Sequence, residues 1–562
     1  MNALYKSNTS VFRNQFAEDI FNLKYKHEGA ETWEELANTL VDDVCANVLS
    51  REDCDQLKWM IATMRFIPGG RYLYYAGRPA KFFNNCYLLC AEEDTREEWA
   101  ALAQRATSCL MSGGGIGIDY SVLREKGAKL GRTGGTASGP IDLMMAINEI
   151  GRRVMQGGSR RSAIYASLNW QHPDTPAFLH AKDWKSMPVQ GTDKTVSDLK
   201  EADFNYSAPL DMTNISVNWD TKFIQDYWDT DTLPELFYDN ARQALSSAEP
   251  GFSFNFFENE NETLRNACTE VTSDKDSDSD VCNLGSLNMS RIENLREFTQ
   301  CVDLATKFLL CGTLKAQLPY DKVYKVREKN RRLGLGLMGM HEWLLQRGEK
   351  YKVTDEMHRW LAVYKSVSDN TAKKTADELG VSRPVKVRAI APTGSIGILA
   401  ATTTGIEPLF AVAYKRRYLK GTRWMYQYVV DSAAQEVIDR YGIEPEKIES
   451  ALDLATDYER RIQFQADVQD YVDMSISSTI NLPSWGSAAN NEDTVRPFAE
   501  TLAKYCHRLR GFTCYPDGAR GGQPLVNVDY KEAKDKLGEE FEEALATHDI
   551  CDITGHGGSC GV

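Results

Sequence analysis

Asn266-Ala267-Cys268-Thr269-Glu270, followed after an acidic stretch by Val281-Cys282-Asn283-Leu284-Gly285-Ser286-Leu287-Asn288, is the passage on which the reading of this chain turns. On an extended segment, alternation sends the amide of Asn266, the thiol of Cys268 and the carboxylate of Glu270 to one face. An amide that orients a hydroxyl, a reactive sulfur and a carboxylate that takes a proton then surround one substrate. Alone, N-x-C-x-E is short enough to arise by chance in a loop. Far upstream, Asn84-Asn85-Cys86-Tyr87-Leu88-Leu89 sets another cysteine at the head of an apolar run.

The bulk properties restrict the setting in which these cysteines act. The 562 residues, 42% hydrophobic and 26% charged, describe a globular chain long enough for a large core. A formal net charge of −15 argues against nucleic acid or an anionic membrane as partner, since phosphate binding depends on clustered Lys and Arg. No apolar run reaches the roughly 18–20 residues that span a bilayer, and MNALYKSNTSVFRNQF lacks a secretion signal. A cytoplasmic setting is expected, the host cytoplasm if the gene is a phage's. There the 13 cysteines stay reduced. Paired C-x-x-C motifs and H-E-x-x-H are absent, so no metal site is expected. Polar, Gly- or Asn-rich surroundings single out Cys86, Cys268, Cys282, Cys551 and Cys560.

The pattern along the chain is α/β. From Phe12 to Met64 apolar residues recur at helical spacing, with Trp33, Leu36, Leu40 and Val44 on one face. Residues 1–66 therefore read as an N-terminal helical region. From Ile67 to about residue 530, short apolar runs alternate with helical segments without a linker, which implies one large catalytic unit over 67–530. Candidate strands are Cys86–Leu89, Ile116–Tyr120, Ile164–Leu168 and Val387–Ala391. Ser273 to Asp280 reads as an exposed acidic loop. Residues 531–562 read as a charged helix, Lys531 to Ala546, and a Gly-rich mobile tail. Gly113-Gly114-Gly115-Ile116-Gly117 lacks G-x-G-x-x-G spacing and precedes its strand, so it is not read as a dinucleotide loop.

Together the three cysteine stretches resemble the catalytic subunit of ribonucleotide reductase, with N-x-C-x-E as its radical-bearing finger loop. Further similarity runs through Ser112 to Gly117, Gly135 to Pro140, Gly157 to Arg161, His172-Pro173-Asp174 and Asn330-Arg331-Arg332-Leu333-Gly334-Leu335-Gly336. It continues at Ala391 to Ile396, Gly405-Ile406-Glu407-Pro408 and Thr479-Ile480-Asn481-Leu482-Pro483. The resemblance implies a ten-stranded α/β barrel of the ribonucleotide reductase and glycyl-radical type. It implies that Cys268 holds a thiyl radical that takes the 3′-hydrogen of a ribonucleotide, that Glu270 takes the 3′-hydroxyl proton, and that Asn266 binds the sugar. Cys86 and Cys282 then deliver the reducing equivalents and close into a disulfide. Asn85, Gly114 and Gly115 join the substrate site. The Gly-rich turn Pro392-Thr393-Gly394-Ser395-Ile396, with backbone donors and two hydroxyls, is read as the phosphate cradle.

The resemblance extends to regulation and to the radical source. Gly158, Ser159, Arg160 and Arg161 are similar to the loop that couples a dNTP or ATP specificity effector to substrate choice, and Glu93 and Asp94 fall near its ribose. Cys551 and Cys560 resemble the tail shuttle recharged by thioredoxin or glutaredoxin, with wider spacing than usual. Pro392 to Ile396 and GFTCYPDGARGGQ, Gly511 to Gln523, look like the adenosylcobalamin-dependent class. In the metal-dependent class a tyrosine pair relays the radical from a dimetal centre in a ferritin-like small subunit. Here the dyad is Cys514-Tyr515, leaving Tyr515 alone as a relay residue. No ATP-cone is expected ahead of the helical region, and a homodimer is. A non-enzymatic nucleotide-binding regulator, the competing reading, would keep the glycine loops and lose the five cysteines.

Overall fold

The computed structural model of the chain describes residues 11–132, 134–154, 162–203, 206–420, 423–519 and 525–542. Period-two alternation decides its architecture. The first strands are β1 (Phe66–Pro68), β2 (Cys86–Cys90), β3 (Gly115–Asp119), β4 (Ile164–Asn169), β5 (Thr213–Asp220) and β6 (Gly251–Asn255). From β2 to β6, Tyr87, Leu89, Ile116, Ile118, Ile164, Ala166, Val217, Trp219, Phe252 and Phe254 pack outward into one hydrophobic cluster. The intervening Cys86, Gly117, Asp119, Ser167, Asn218 and Asn255 face the other way and make a largely polar interior.

After a short hairpin, β7 (Leu264–Arg265) and β8 (Thr272–Ser273), come β9 (Asp280–Asn288) and β10 (Leu333–Met338). The outlying hairpin β11 (Ala413–Lys420) and β12 (Arg423–Val430) precedes β13 (Thr479–Leu482) and β14 (Gly511–Pro516). Ten strands form one sheet, ordered β1-β9-β2-β3-β4-β5-β6-β14-β13, with β10 beside β9. Strands β2 to β6 are mutually parallel. Antiparallel seams at β2/β9 and β6/β14 join them to a second set running the opposite way.

The Val387–Ala391 run closes the sheet into a barrel. Ala389 N–H donates to Leu335 O at 3.1 Å, and Ser477 N–H donates to Ile390 O at 2.8 Å, so the run links β10 to the residues leading into β13. It makes only single parallel bridges, Leu335 to Arg388 and Ile390 to Ile476. The Asp473 carboxylate takes the N–H groups of Val387 and Arg388, which interrupts a continuous ladder.

Helices α1 (Gln15–Lys24), α2 (Trp33–Cys45) and α3 (Arg51–Ala62) form the N-terminal region. A reciprocal Thr32/Glu35 capping box starts α2. Its face of Trp33, Leu36, Leu40 and Val44 is buried in a core shared with Phe66, Leu287, Leu309 and Leu335.

Two segments depart from the sequence reading. Ser273 to Asp280 is not an exposed loop: Asp278 and Asp280 are buried. Cations make this affordable, with Arg105 Nε 3.1 Å and Lys322 Nζ 2.7 Å from Asp278, and Arg332 Nε 3.0 Å from Asp280. In the C-terminal segment the helix spans only Tyr530–Asp535; Gly538, with φ +78°, turns the chain into β16 (Glu540–Glu542). With β15 (Leu525–Asn527) these complete a second sheet, β15-β11-β12-β16.

The β7/β8 hairpin lies inside the barrel, against β3. A Cβ on Gly117 would stand 1.8 Å from Arg265 O, and one on Gly115 would meet Ala267 Cβ at 3.0 Å. Only glycine at 117 admits the hairpin at this depth. Gly117→Ala should therefore destabilise the protein by about 1–3 kcal/mol or more. Gly131→Ala, where a Cβ meets nothing, should stay within roughly 0.5 kcal/mol. Denaturant melts of both variants measure the difference.

Candidate active site

The hairpin tip is a turn, not the extended segment that the N-x-C-x-E spacing suggests. Thr269 N–H donates to Asn266 O at 3.0 Å, and Val271 N–H donates to the Asn266 side-chain oxygen at 2.9 Å. Thr269 takes φ +69°, left-handed backbone that a β-branched residue adopts only under constraint. The turn buries Asn266 and Glu270 and leaves Cys268 half-buried at the tip. Ser475 N–H donates to Glu270 O at 2.9 Å and holds the return strand.

Two further sulfurs stand on the barrel wall beside this tip. Asn266 Nδ2 donates to Cys86 Sγ at 3.2 Å. Cys86 and Cys282 are register partners across the antiparallel β2/β9 seam. Directly opposed residues in such a pair have Cα atoms roughly 4.5–5.5 Å apart, within the span a disulfide bridges. Neither is in a disulfide. Burial pushes the Cys282 thiol well up, against the opposing effect of Arg332, so the sulfur keeps its hydrogen. Gly334 leaves room for it: a Cβ there would be 2.9 Å from Cys282 Sγ.

Glu270 is the basic group of the set. Burial raises its carboxyl to about 7, although the Asn266 amide hydrogen bond favours the ionised form. Its Oε2 and the neighbouring Ser475 Oγ are buried without a hydrogen-bond partner. Orphaned polar atoms of this kind beside a half-open thiol are what a bound polyhydroxyl substrate would satisfy.

The sequence reading named the tip but missed what holds its stem. Asp280 Oδ2 accepts from Ser273 Oγ at 2.6 Å, Asn330 Nδ2 at 2.9 Å and Arg332 Nε at 3.0 Å. Next to it, Glu262 accepts from Thr272 Oγ1 at 2.8 Å and pairs with Arg510 at 2.8 Å and Lys386 at 3.1 Å. Burial opposes its ionisation, but these cations outweigh burial and hold the carboxyl at about 2. Arg265, in the barrel interior, donates to Asn255 Oδ1 at 2.7 Å and Arg510 O at 3.0 Å, and burial lowers it to about 9. The inward alternation of Gly115, Gly117 and Asp119 was the available signal for a guest in the barrel.

The remaining expected residues distribute as follows. Thr393, at φ +53°, precedes the helix Gly394–Ala400, and its hydroxyl accepts from Gly405 N–H at 2.8 Å. Pro392, Gly394 and Ser395 are half-buried and Ile396 is buried; a Cβ on Gly394 would meet nothing. This turn ends a stave parallel to β10 and β9, which oppose β2 in direction, so it opens at the barrel mouth where Cys86 begins β2. Asn85 is half-buried and its carbonyl accepts from Gly115 N–H at 2.9 Å. Gly114 lies under the Tyr87 ring and Gly115 faces the finger. Glu93 is exposed, whereas Asp94 pairs with Arg124 at 2.6 Å. Tyr515 shares the inward face of β14 with Thr513, while Cys514 packs into the outer hydrophobic cluster, so the two do not form a stacked pair. Gly158, Ser159, Arg160, Arg161, Cys551 and Cys560 lie outside the described residues. Among the described residues no cluster of three His, Cys, Asp or Glu could hold a metal ion, and no helix is long and apolar enough to cross a membrane.

The Glu270 carboxyl makes a measurable stability signature. Folded, it keeps its proton up to about 7, while its ordinary value is 4.5. Through this group the folded state therefore loses stability as pH rises across that interval. The melting temperature of Glu270→Gln, relative to the native protein, should climb between about pH 4.5 and pH 7 and level off above it. A difference that does not vary with pH would mean that the carboxyl is ionised throughout.

Known proteins agree with this geometry. The family model for the ribonucleotide reductase barrel domain matches residues 84–377 and 364–511. A vitamin B12-dependent ribonucleoside-diphosphate reductase of Mycobacterium tuberculosis is 26% identical over 549 residues, covering 88% of this chain and 77% of that protein. One of the same description from Thermoplasma acidophilum is 27% identical over 527 residues, covering 83% and 65%. A putative adenosylcobalamin-dependent ribonucleoside-triphosphate reductase of Mycobacterium phage D29 is 25% identical over 422 residues, covering 64% and 56%. With its barrel matched over most of the chain, the protein belongs to the ribonucleotide reductase family.

Proposed function

We propose that this chain reduces ribonucleotides to 2′-deoxyribonucleotides for DNA precursor synthesis, using a thiyl radical at Cys268 and adenosylcobalamin as the radical source. The observation that carries the reading is the Asn266–Glu270 turn, with Cys268 half-buried at its tip, joined to the opposed pair Cys86 and Cys282 through the Asn266–Cys86 hydrogen bond. The ribose lies over the tip, where Cys268 takes the 3′-hydrogen atom. Glu270, poised near neutrality, takes the 3′-hydroxyl proton, and Asn266 orients the sugar. The 2′-hydroxyl leaves as water. Cys86 and Cys282 together give up two protons and two electrons and become a disulfide, and Cys268 finally returns its hydrogen to C3′. The ribonucleotide's phosphates sit on the backbone donors of Thr393, Gly394, Ser395 and Ile396, with Pro392, Asn85, Gly114 and Gly115 completing the pocket.

Adenosylcobalamin, when bound, supplies the one-electron chemistry that turns the Cys268 thiol into a radical. The residues fit such a group: Cys268 is half-buried while Cys86 and Cys282 are buried, and the inward face of β13 and β14, with Asn481, Thr513 and Tyr515, would border it. The names of the relatives favour the same source. The metal-dependent alternative, with a ferritin-like partner, would route the radical through Tyr515, and the outward packing of Cys514 speaks against a tyrosine-type pair there. A homodimer carries the specificity effector, a deoxynucleotide or ATP, against Glu93, Asp94 and the Gly158 to Arg161 loop. Cys551 and Cys560 recharge the active-site disulfide and are themselves reduced by thioredoxin or glutaredoxin.

Purified protein with dithiothreitol should form deoxynucleotide only when adenosylcobalamin is added, and Cys268→Ala should lose turnover by at least a factor of about 10³. Activity that needs a metal-loaded second protein instead would overturn the cofactor assignment. The rate should fall on the acid side of about pH 7 as Glu270 takes up its proton.

A further inference from the structure

Beside Cys282 the barrel interior holds a buried ion pair. Cys282 and Asp280 are two residues apart on β9 and so share one face of it. In the parallel β9/β10 pair Leu333 stands level with Asn283, which carries Arg332, one residue before β10, to the level of Cys282. By alternation Arg332 lies on the same side of the chain as Gly334, where a Cβ would stand 2.9 Å from Cys282 Sγ. Its Nε donates to Asp280 Oδ2 at 3.0 Å and its Nη2 to Ser273 Oγ at 3.2 Å. Its Nη1 lies 3.8 Å from Met474 Sδ, and Met474 packs in one cluster with Cys282, Leu88 and Leu284. Arg332, Asp280 and Cys282 are all buried, which leaves their charges weakly screened.

From this placement we infer that Arg332 is a positioning residue for reduction at Cys282. Its charge stabilises the sulfur as the thiol proton leaves, and Asp280 limits that charge while the thiol is at rest. The inference rests on the reductant role proposed above for Cys282. When the pair closes, each S–H bond gives up its proton, two electrons pass to the ribonucleotide, and the two sulfurs bond to each other. A sulfur whose proton departs before its electron carries a negative charge, which burial disfavours. The charges that act most strongly on Cys282 are those of Arg332, Cys86, Asp280 and Glu270, and of these Arg332 alone favours the ionised form.

A purely structural ion pair would give both partners the same effect, because removing either one loosens the wall. The tuning role gives opposite effects. Asp280→Asn leaves Arg332 unopposed and makes the Cys282 thiolate easier to form. Arg332→Gln removes the favourable charge, leaves Asp280 in place, and makes the thiolate harder to form. Arg332→Lys keeps the charge. Alkylation proceeds through the thiolate, so its rate reads the thiolate population, partly offset by the lower nucleophilicity of a more acidic thiol.

The test needs no cofactor. Reduced full-length protein is alkylated with iodoacetamide across about pH 7 to 9, below the point at which the native thiol ionises. Mass spectrometry then follows the Cys282 peptide and that of Cys514, which is buried in the outer cluster and reports unfolding. Cys282 should react roughly threefold to tenfold faster than native in Asp280→Asn and slower by a similar factor in Arg332→Gln. Arg332→Lys should stay within about twofold of native, and Cys514 should keep its native rate throughout. Changes of the same sign in Asp280→Asn and Arg332→Gln, or none in either, would overturn the tuning. Where Asp280→Asn does not fold, the comparison of Arg332→Gln with Arg332→Lys decides, and equal Cys282 rates there would overturn it as well. Native yields of deoxynucleotide from Cys282→Ser with dithiothreitol would instead overturn the reductant role itself.

Discussion

A β-hairpin occupies the inside of this barrel, and the rest of the structure follows from the space it needs. Its backbone carbonyl at Arg265 rests where any side chain on residue 117 would be. The interior of β3 to β6 is polar because it faces a guest with backbone groups and a buried guanidinium, rather than a hydrocarbon core. The carboxylates of the ion pairs Asp280–Arg332 and Glu262–Arg510 hold β8 of the stem through Ser273 and Thr272. Buried pairs like these contribute little net stability but are costly to break singly, which suits them to fixing a position. The constraint ends at Thr269, whose left-handed backbone is tolerated because the stem and Ser475 hold the turn on both sides.

The same burial tunes the chemistry. A hydrogen-atom reaction needs S–H groups rather than thiolates, and the apolar surroundings of Cys282 keep its hydrogen in place despite the nearby Arg332. Glu270 lacks a cation to stabilise its charge, so it rises to about 7. Glu262, a few residues away, is gripped by Arg510 and Lys386 and drops to about 2. Two carboxylates close in sequence are thus held on opposite sides of the ordinary value by their neighbours.

Much of this was legible in the residues. The apolar alternation of Cys86–Leu89 and Ile164–Leu168 and the Trp33/Leu36/Leu40/Val44 face correspond to β2, β4 and α2 of the fold, and Cys86 falls opposite Cys282 across the β2/β9 seam. Less legible was whatever depended on long-range partners. Ser273 to Asp280 reads as a solvated loop because the cations that bury it, at Arg105, Lys322 and Arg332, are distant in sequence. The Asn266–Glu270 segment reads as extended from its alternation, but the carbonyl and side-chain oxygens of Asn266 accept from Thr269 and Val271 N–H and curl it into a turn. The charged run from Lys531 has helical composition, yet Gly538 and the exposed edge of β12 redirect it into a strand.

In the proposed cycle Cys86 and Cys282 are the electron donors and Cys268 is the sulfur that starts and ends each turnover unchanged. Peptide mapping of the cofactor-loaded enzyme after one turnover, without external reductant, tests it most directly. One Cys86–Cys282 disulfide should form for each deoxynucleotide, with Cys268 recovered as a thiol. Product formed without that disulfide, or a disulfide that includes Cys268, would contradict it.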